Sequence, residues 1–168
     1  MKKLFLSAFM LMGLAFGAQA QERNALGLRL GDNDGFGGEI SYQRTLGSGN
    51  RLELDLGWRD SKYYDAIKLV GLYQWVWNID GGFNWYAGVG GGLGTWEYDD
   101  KDLPPWAEGN DVDDSGTFLL VAGNVGIEYN FDFPLQLSLD IRPELYFGDD
   151  FREDNFGPDI ALGIRYRF

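Results

Sequence analysis

Apolar and polar residues alternate with period two through most of the 168-residue chain, from Ala25 to Phe168. The third alternating segment is the clearest: Leu52, Leu54, Leu56 and Trp58 oppose Arg51, Glu53, Asp55, Gly57 and Arg59. Successive side chains of a β-strand point to opposite faces, whereas a helix would scatter these residues around its axis. The pattern therefore predicts an all-β fold whose strands have one apolar and one polar face.

Eight such segments can be counted, and their length of about nine to eleven residues suits a tilted bilayer crossing. The fourth, 67–77, is ambiguous because both parities are apolar in its middle. Longer polar connections near 32–37, 60–65, 98–116 and 148–157 alternate with shorter ones at 47–50, 78–82 and 132–134. This alternation is typical of outer-membrane barrels, which have short periplasmic turns and longer outside loops.

Composition excludes several other classes of protein. The chain has 14 Lys and Arg, 26 Asp and Glu, a formal charge of -12 and no Cys or His. After residue 20, no segment reaches the roughly 18 to 20 apolar residues of a spanning helix, and the acidic charge argues against a nucleic-acid partner. Without Cys or His, disulfides, Ser-His and Cys-His catalytic sites and His-ligated metals are excluded. We therefore expect neither an enzyme nor a bound cofactor.

Residues 1–20 have the pattern of a secretory signal peptide. Lys2 and Lys3 precede the apolar stretch Leu4–Phe16, and Ala18-Gln19-Ala20 is an A-x-A cleavage site. Cleavage there would leave residues 21–168 as a single β-barrel domain with 12 basic and 26 acidic residues, a net charge of -14. The lack of Cys argues against a lipoprotein. We expect an exported protein.

The polar parity of the segments carries equal numbers of acidic and basic residues. The seven acids are Glu39, Glu53, Asp55, Glu128, Asp140, Glu144 and Asp159, and the seven bases are Arg29, Arg51, Arg59, Lys68, Arg142, Arg165 and Arg167. Unpaired charges are costly in a low-dielectric interior, so the balance predicts an ion-paired network that plugs the lumen. The carboxylate pairs Glu53 with Asp55 and Asp140 with Glu144 have Arg on the same face, which favours ion pairing over acid–base catalysis.

The direction in which the two parities face separates two kinds of barrel. A soluble periplasmic lipocalin-like barrel would put its apolar parity inside, around a ligand, and its polar parity in water. A membrane barrel does the reverse, and with the opposite register Arg165 and Arg167 would face lipid at up to about 2–4 kcal/mol each near the midplane. The charge balance favours the membrane arrangement, and the lipocalin-like barrel is the alternative.

The fifth segment places four glycines, at 88, 90, 92 and 94, on the inward parity. We expect Val70, Leu72 and Val76 of the neighbouring segment to fill the space beside them. The alternative is a small ligand cavity or a narrow channel on this side of the lumen. The stretch GVGGGLG lacks the G-x-G-x-x-G spacing and the following helix of a phosphate-binding loop.

Two residues break the alternation scheme. Arg44 and Glu97 fall on the lipid parity, but near segment ends, where long side chains can reach the headgroups.

Pro143 cannot donate a ladder hydrogen bond, so a bulge or early fraying is predicted there. The aromatic residues near segment ends are predicted to form interfacial girdles: Trp58, Trp75, Trp77, Trp85, Trp96, Tyr129 and Tyr166.

The connection between the fifth and sixth segments, 99–116, has seven acidic residues and one Lys. Connections longer than about 12–15 residues are usually functional or disordered. Asp111 and Asp113 imitate the first ligands of a Ca²⁺ loop, but the twelfth position is Ala122 instead of Glu. They are weak metal candidates, and a solvated acidic loop that attracts divalent cations loosely is the expectation.

The chain resembles the small eight-stranded outer-membrane β-barrels of the OmpA transmembrane-domain and OmpX type. The most specific local element is the C-terminal run Ile160, Leu162, Ile164, Tyr166 and Phe168. The resemblance implies that this run is read by the barrel insertion machinery. It also implies an eight-stranded antiparallel up-and-down transmembrane β-barrel in the outer membrane of a Gram-negative-type cell.

From these features we expect a monomer whose partners are outer-membrane lipid and an unidentified surface partner. Its role would be structural, or one of surface interaction through the acidic loops.

Overall fold

The computed structural model describes residues 23–31, 37–60, 64–98, 115–148 and 156–168. The strands are β1 (Asn24–Gly31), β2 (Gly38–Gly47), β3 (Asn50–Asp60), β4 (Tyr64–Asp80), β5 (Phe83–Tyr98), β6 (Ser115–Asn130), β7 (Leu135–Gly148) and β8 (Phe156–Arg167). Each pairs antiparallel with the next, and β1 pairs with β8, which closes the barrel. The predicted eight-stranded antiparallel up-and-down barrel is confirmed.

The connections gather by length at the two ends of the barrel. At one end, called here the long-connection end, the strands are joined by residues 32–37, 61–63, 99–114 and 149–155. At the other, the short-turn end, they are joined by 48–49, 81–82 and 131–134. The connection predicted at 60–65 is shorter because Asp60 and Asp65 pair as the last rung between β3 and β4.

The N-terminal and C-terminal ends of the described chain lie together at the short-turn end of the barrel. The backbone N–H of Asn24 donates to the oxygen of Phe168 at 3.0 Å, and that of Phe168 donates to Asn24 at 2.8 Å. The two-residue turns here each contain a glycine with positive φ, Gly49 at 91° and Gly81 at 51°. Residues with a Cβ rarely adopt a positive φ, so glycine suits both turns.

The alternation places apolar side chains outside and polar ones inside. On β7 and β8, Ile141 and Ile160 are 50% and 54% exposed, whereas Arg142 and Asp159 are 0% and 2% exposed. A lipocalin-like barrel requires the opposite arrangement, so that alternative is wrong. In the described part of the chain, no helix is long and apolar enough to cross a membrane.

The prediction of a bulge or fraying at Pro143 is wrong. The register between β6 and β7 is the same on both sides of the proline, with Val121 opposite Leu145 and Val125 opposite Ile141. β7 continues beyond the proline to Gly148. The paired positions skip Gly123 and Asn124, so the missing N–H interrupts the ladder locally without shifting it.

The glycine-rich part of β5 has no room for a Cβ at Gly90 beside β4. A Cβ placed on Gly90 would overlap the carbonyl oxygen of Gly71 and lie 2.8 Å from the Cα of Leu72. Both of these are backbone atoms, which cannot turn aside as a flexible side chain can. Only a residue without a Cβ fits this position without separating the two strands.

Gly90→Ala is therefore expected to destabilise the barrel, by at least about 1–3 kcal/mol, the usual cost of overpacking. The matched control is Gly71→Ala, since a Cβ there would meet only Leu54 Cδ2, at an ordinary 3.5 Å. Urea unfolding in lipid vesicles, followed by tryptophan fluorescence, measures both. Equal stability of the two variants would contradict the close approach of β4 and β5.

Candidate functional site

The barrel interior brings together twelve of the fourteen charged residues predicted for the lumen, and each of the twelve takes part in an ion pair. The other two are Arg167 and Arg59. Arg167 is half-buried at the short-turn end, where Nη2 donates to the carbonyl oxygen of Phe131 at 2.6 Å. The side chain of Arg59 is outside the described residues.

Arg29, on β1, lies at the centre of the main cluster. Its guanidinium contacts three carboxylates, those of Glu39 at 3.1 Å, Asp140 at 2.6 Å and Asp159 at 2.5 Å. These partners come from β2, β7 and β8. One buried side chain therefore cross-links four strands.

Arg142 and Lys68 extend the same cluster toward the long-connection end. Arg142 Nη1 lies 2.9 Å from Asp55, and Nη2 donates to Glu39. Lys68 Nζ lies 2.9 Å from Glu144 and 3.3 Å from Glu39. Together with the contacts of Arg29, these pairs join three bases to five acids and connect six of the eight strands.

Neutral donors supplement the three bases of this cluster. Tyr86 Oη donates to Asp140 Oδ2 at 3.2 Å, and Asn124 Nδ2 donates to Asp140 Oδ1 at 3.3 Å. Tyr146 Oη donates to Glu144. The count of charges did not identify these neutral residues, although Tyr86 shares the inward parity of β5 and could have been found from it.

Two further ion pairs lie nearer the short-turn end. Arg165 Nη2 is 2.8 Å from Glu53, while its other nitrogens donate to Ser41 and Ser138. Arg51 Nη1 is 2.5 Å from Glu128, which lies on β6. Since β3 and β6 are not neighbours in the sheet, the second pair spans the lumen.

An apolar layer of buried side chains lies inside the barrel toward the long-connection end. Its residues are Ala66, Val70, Leu72, Trp96, Phe118, Leu120, Ala122 and Tyr146. Val70 and Leu72 are buried opposite Gly92 and Gly90, as predicted, whereas Val76 is opposite Tyr86 and lines a cavity at the short-turn end. The prediction that Trp96 belongs to the interfacial girdle is wrong, since it is 3% exposed and its indole lies against Gly116.

The outward aromatic residues agree better with the girdle prediction. Trp58, Trp75, Trp77, Trp85 and Tyr166 are between 39% and 49% exposed, and Tyr129 is half-buried. Near the short-turn end, Trp77 and Trp85 stack with ring centroids 4.3 Å apart. Arg44 and Glu97 are exposed, as their positions near strand ends predicted.

The remaining predicted sites are on the surface or outside the described residues. In the C-terminal run, Ile160, Leu162, Ile164 and Tyr166 all face outward. Asp111 and Asp113 lie outside the described residues. Among the residues that are described, no group of acidic side chains is arranged to hold a metal ion.

A polar cavity with a volume of about 290 Å³ lies at the short-turn end, where the sequence pattern predicted none. Its lining includes Arg51, Glu128, Asn84, Gln136 and Val76. The glycines of β5 do not line it, so it is not the cavity considered beside them. Its polar residues come from the ends of several strands, so no single segment of the sequence has a pattern that predicts the cavity.

Several solved structures are similar to this chain. The N-terminal β-barrel domain of Pseudomonas aeruginosa OprF has a TM-score of 0.64 and 14% identity, over 89% of this chain and all of that one. Neisserial surface protein A has a TM-score of 0.60 and 12% identity, over 86% and 94% of the two chains. Ail, the attachment invasion locus protein of Yersinia pestis, has a TM-score of 0.51 and 15% identity, over 86% and 96%.

The chain has the fold of the small eight-stranded outer-membrane barrels. The resemblance to barrels of the OmpA and OmpX type is confirmed at the level of fold. A designed transmembrane β-barrel is also similar, with a TM-score of 0.56 and 14% identity over 89% of this chain and 98% of that one. No protein-family model and no curated protein sequence matches the chain.

Proposed function

We propose that this chain is an integral outer-membrane protein of a Gram-negative-type cell, with a closed lumen and acidic connections at the cell surface. The observation that carries the proposal is the reversed burial of the barrel, with charges inside and large apolar side chains outside. In water, such an apolar outer face would be an aggregation surface. In a bilayer it faces lipid, while the aromatic residues near the strand ends lie at headgroup level.

Two successive layers support a closed lumen. The apolar layer around Trp96 and Phe118 fills the long-connection end, and the cluster around Arg29 and Arg142 fills the middle. An eight-stranded barrel is just wide enough to be filled by side chains. A conducting path would have to break ion pairs whose members are at most 2% exposed.

Acidic residues concentrate at the end that would face outward. The connections 32–37, 61–63, 99–114 and 149–155 carry 13 acidic and three basic residues. Two of the similar structures are named for a surface protein and for attachment and invasion. These facts favour a surface-interaction role in which the acidic connections meet a partner or divalent cations.

We infer a non-enzymatic role, since the chain has no His or Cys to act as base or nucleophile.

Epitope insertion tests the location and the orientation together. A tag placed between Asp111 and Asp113 should bind antibody on intact cells, whereas one placed after Asp132 should bind only after the outer membrane is permeabilised. The two tagged chains are matched controls for each other. On gels, the detergent-extracted protein should migrate differently with and without boiling. The opposite labelling pattern, or recovery in the soluble periplasmic extract, would contradict the proposal.

Conductance in planar bilayers tests the closed lumen separately. The purified protein should give no steady openings at either polarity, because both layers lie across the path. A variant with Trp96→Ala and Phe118→Ala thins only the apolar layer, and it should remain closed because the ionic cluster is intact. Steady large openings of the unmodified protein would contradict the closed lumen but not the membrane location.

A further inference from the structure

The strands differ in length in a regular way around the barrel. β1 and β2 have 8 and 10 residues, whereas β4, β5 and β6 have 17, 16 and 16. All of them run between the same two ends of the closed barrel. The wall is therefore low at β1 and β2, called here the short face, and high on the opposite side at β4, β5 and β6, called here the tall face.

The apolar band on the outside of the barrel differs in height between the two faces. On β4 the outward positions from Ile67 to Ile79 are all aliphatic, aromatic or glycine, and these two end residues are 57% and 60% exposed. On β1 the outward apolar run extends only from Leu26 to Leu30. A strand tilted by about 40° rises about 2.5 Å per residue along the barrel axis, so the two bands are about 32 Å and about 12 Å high.

Polar groups bound the band of the short face on both sides. Toward the short-turn end, Arg44 of β2 is exposed and pairs with Asn24 of β1. The hydroxyl of Tyr42 donates to Asn24 Oδ1 at 2.9 Å. At the other end of β1, Gly31 is followed in the sequence by Asp32-Asn33-Asp34. Charged and unpaired polar groups are costly in hydrocarbon, so this band cannot be extended in either direction.

The difference in height cannot be removed by the orientation of the barrel. Known outer-membrane barrels have an apolar band about 25 Å tall, so the band of the tall face is sufficient and that of the short face is not. Tilting a rigid barrel shifts the two bands relative to the bilayer but leaves their heights unequal. A bilayer adjusts to a short hydrophobic stretch by thinning beside it.

We propose that the short face is a binding surface for lipids with short acyl chains, and that the bilayer is thinner there than beside the tall face. The inference rests on the membrane location proposed above and assigns different lipid surroundings to the two sides of the barrel. In a bilayer of one lipid, the chains beside β1 and β2 are compressed along the membrane normal. In a mixed bilayer, shorter chains replace them because they relieve this mismatch.

Photo-cross-linking from single cysteines tests the inference, since the chain has no Cys of its own. Leu28→Cys places a benzophenone maleimide on the short face and Val89→Cys places it on the tall face, at residues that are 44% and 57% exposed. The vesicles contain equal amounts of dimyristoleoyl- and dioleoyl-phosphatidylcholine, which share a headgroup and have one double bond per chain. Mass spectrometry of the irradiated protein gives the ratio of short-chain to long-chain lipid adducts.

This ratio should be at least about twofold higher at position 28 than at position 89, because mismatch costs a fraction of a kcal/mol per Å. Differences in reactivity between the two lipids cancel in the comparison of the two positions. Equal ratios at both positions would overturn the inference and leave the membrane location intact. A lack of lipid adducts at both positions would contradict the membrane location itself.

Two further variants locate the cause on the short face. Arg44→Leu removes the charge that bounds its apolar band, so the excess of short-chain adducts at position 28 should decrease. Glu97→Leu is the matched control, because it removes an exposed outward charge from β5 on the tall face, and it should leave the ratio at position 28 unchanged. An excess that persists in Arg44→Leu, or that decreases equally in Glu97→Leu, would contradict the assignment to the short face.

Discussion

Arg142→Met is expected to lower the free energy of unfolding of the barrel by about 3–5 kcal/mol, the usual cost of removing one partner of a buried ion pair. Arg142 is fully buried and lies within ion-pair distance of Asp55, Glu39 and Glu144. Methionine has a similar length but no charge, so Asp55 would lose its one ion-pair partner among the described residues, while Glu39 and Glu144 would keep Lys68. Urea unfolding in lipid vesicles, followed by tryptophan fluorescence, measures the loss.

A matched control and a double-mutant cycle make this prediction specific. Arg44→Met removes an exposed arginine near a strand end, and it should change the stability by no more than about 0.5 kcal/mol. Asp55→Asn in the Arg142→Met background should cost less than Asp55→Asn alone, because the two residues contact each other. If Arg142→Met cost no more than Arg44→Met, or if the cycle showed no coupling, the interior network would not be stabilising.

The alternation of residues predicted the faces of the strands but not the pairs across the lumen. Parity places Arg51 and Glu128 inside on β3 and β6, yet their contact depends on the relative heights of two strands that do not touch. Those heights follow from the turn lengths and from the register of every strand between them. Equal numbers of acids and bases could therefore predict ion pairing in general, while the sharing of Glu39 by Arg29, Arg142 and Lys68 required the structure.

The two errors have different physical origins. Trp96 was placed in the girdle because it is aromatic and lies near a strand end, although it has the same parity as the inward glycines of β5. It belongs to the apolar layer inside the barrel, and parity alone would have predicted this inward position. Pro143 was expected to distort its strand. In the closed barrel β7 is held from both sides, and two missing rungs with β6 do not shift its register.

The cavity at the short-turn end could not be predicted from the sequence. Its polar lining comes from rungs beyond the apolar alternation, such as those of Asn78 and Asn130. In a single sequence these residues look like ordinary turn-flanking asparagines. They line one cavity only because the apolar layer and the ion pairs leave space at this end, and that depends on how the side chains pack across the lumen.

Val125→Arg is expected to lower the stability of the folded protein in lipid vesicles by about 2–4 kcal/mol, the cost of arginine on the lipid face near the bilayer midplane. Val125 is 56% exposed, and it lies between Leu119 and Tyr129 on the outward face of β6. The cost arises because the arginine must be desolvated or must draw headgroups and water into the bilayer. In an aqueous barrel the same change would replace an exposed apolar side chain by a soluble one.

The position along the strand supplies the decisive control. Thr117→Arg lies on the same outward face of β6 but near the long-connection end, where the expected cost is only about 0–1 kcal/mol. Comparison of the two variants by urea unfolding in vesicles separates the effect of depth in the bilayer on stability from the general effect of adding an arginine. If Val125→Arg were as stable as Thr117→Arg, the apolar outer face would not be in contact with hydrocarbon. The membrane location would then be wrong, even though the eight strands would still close into a barrel.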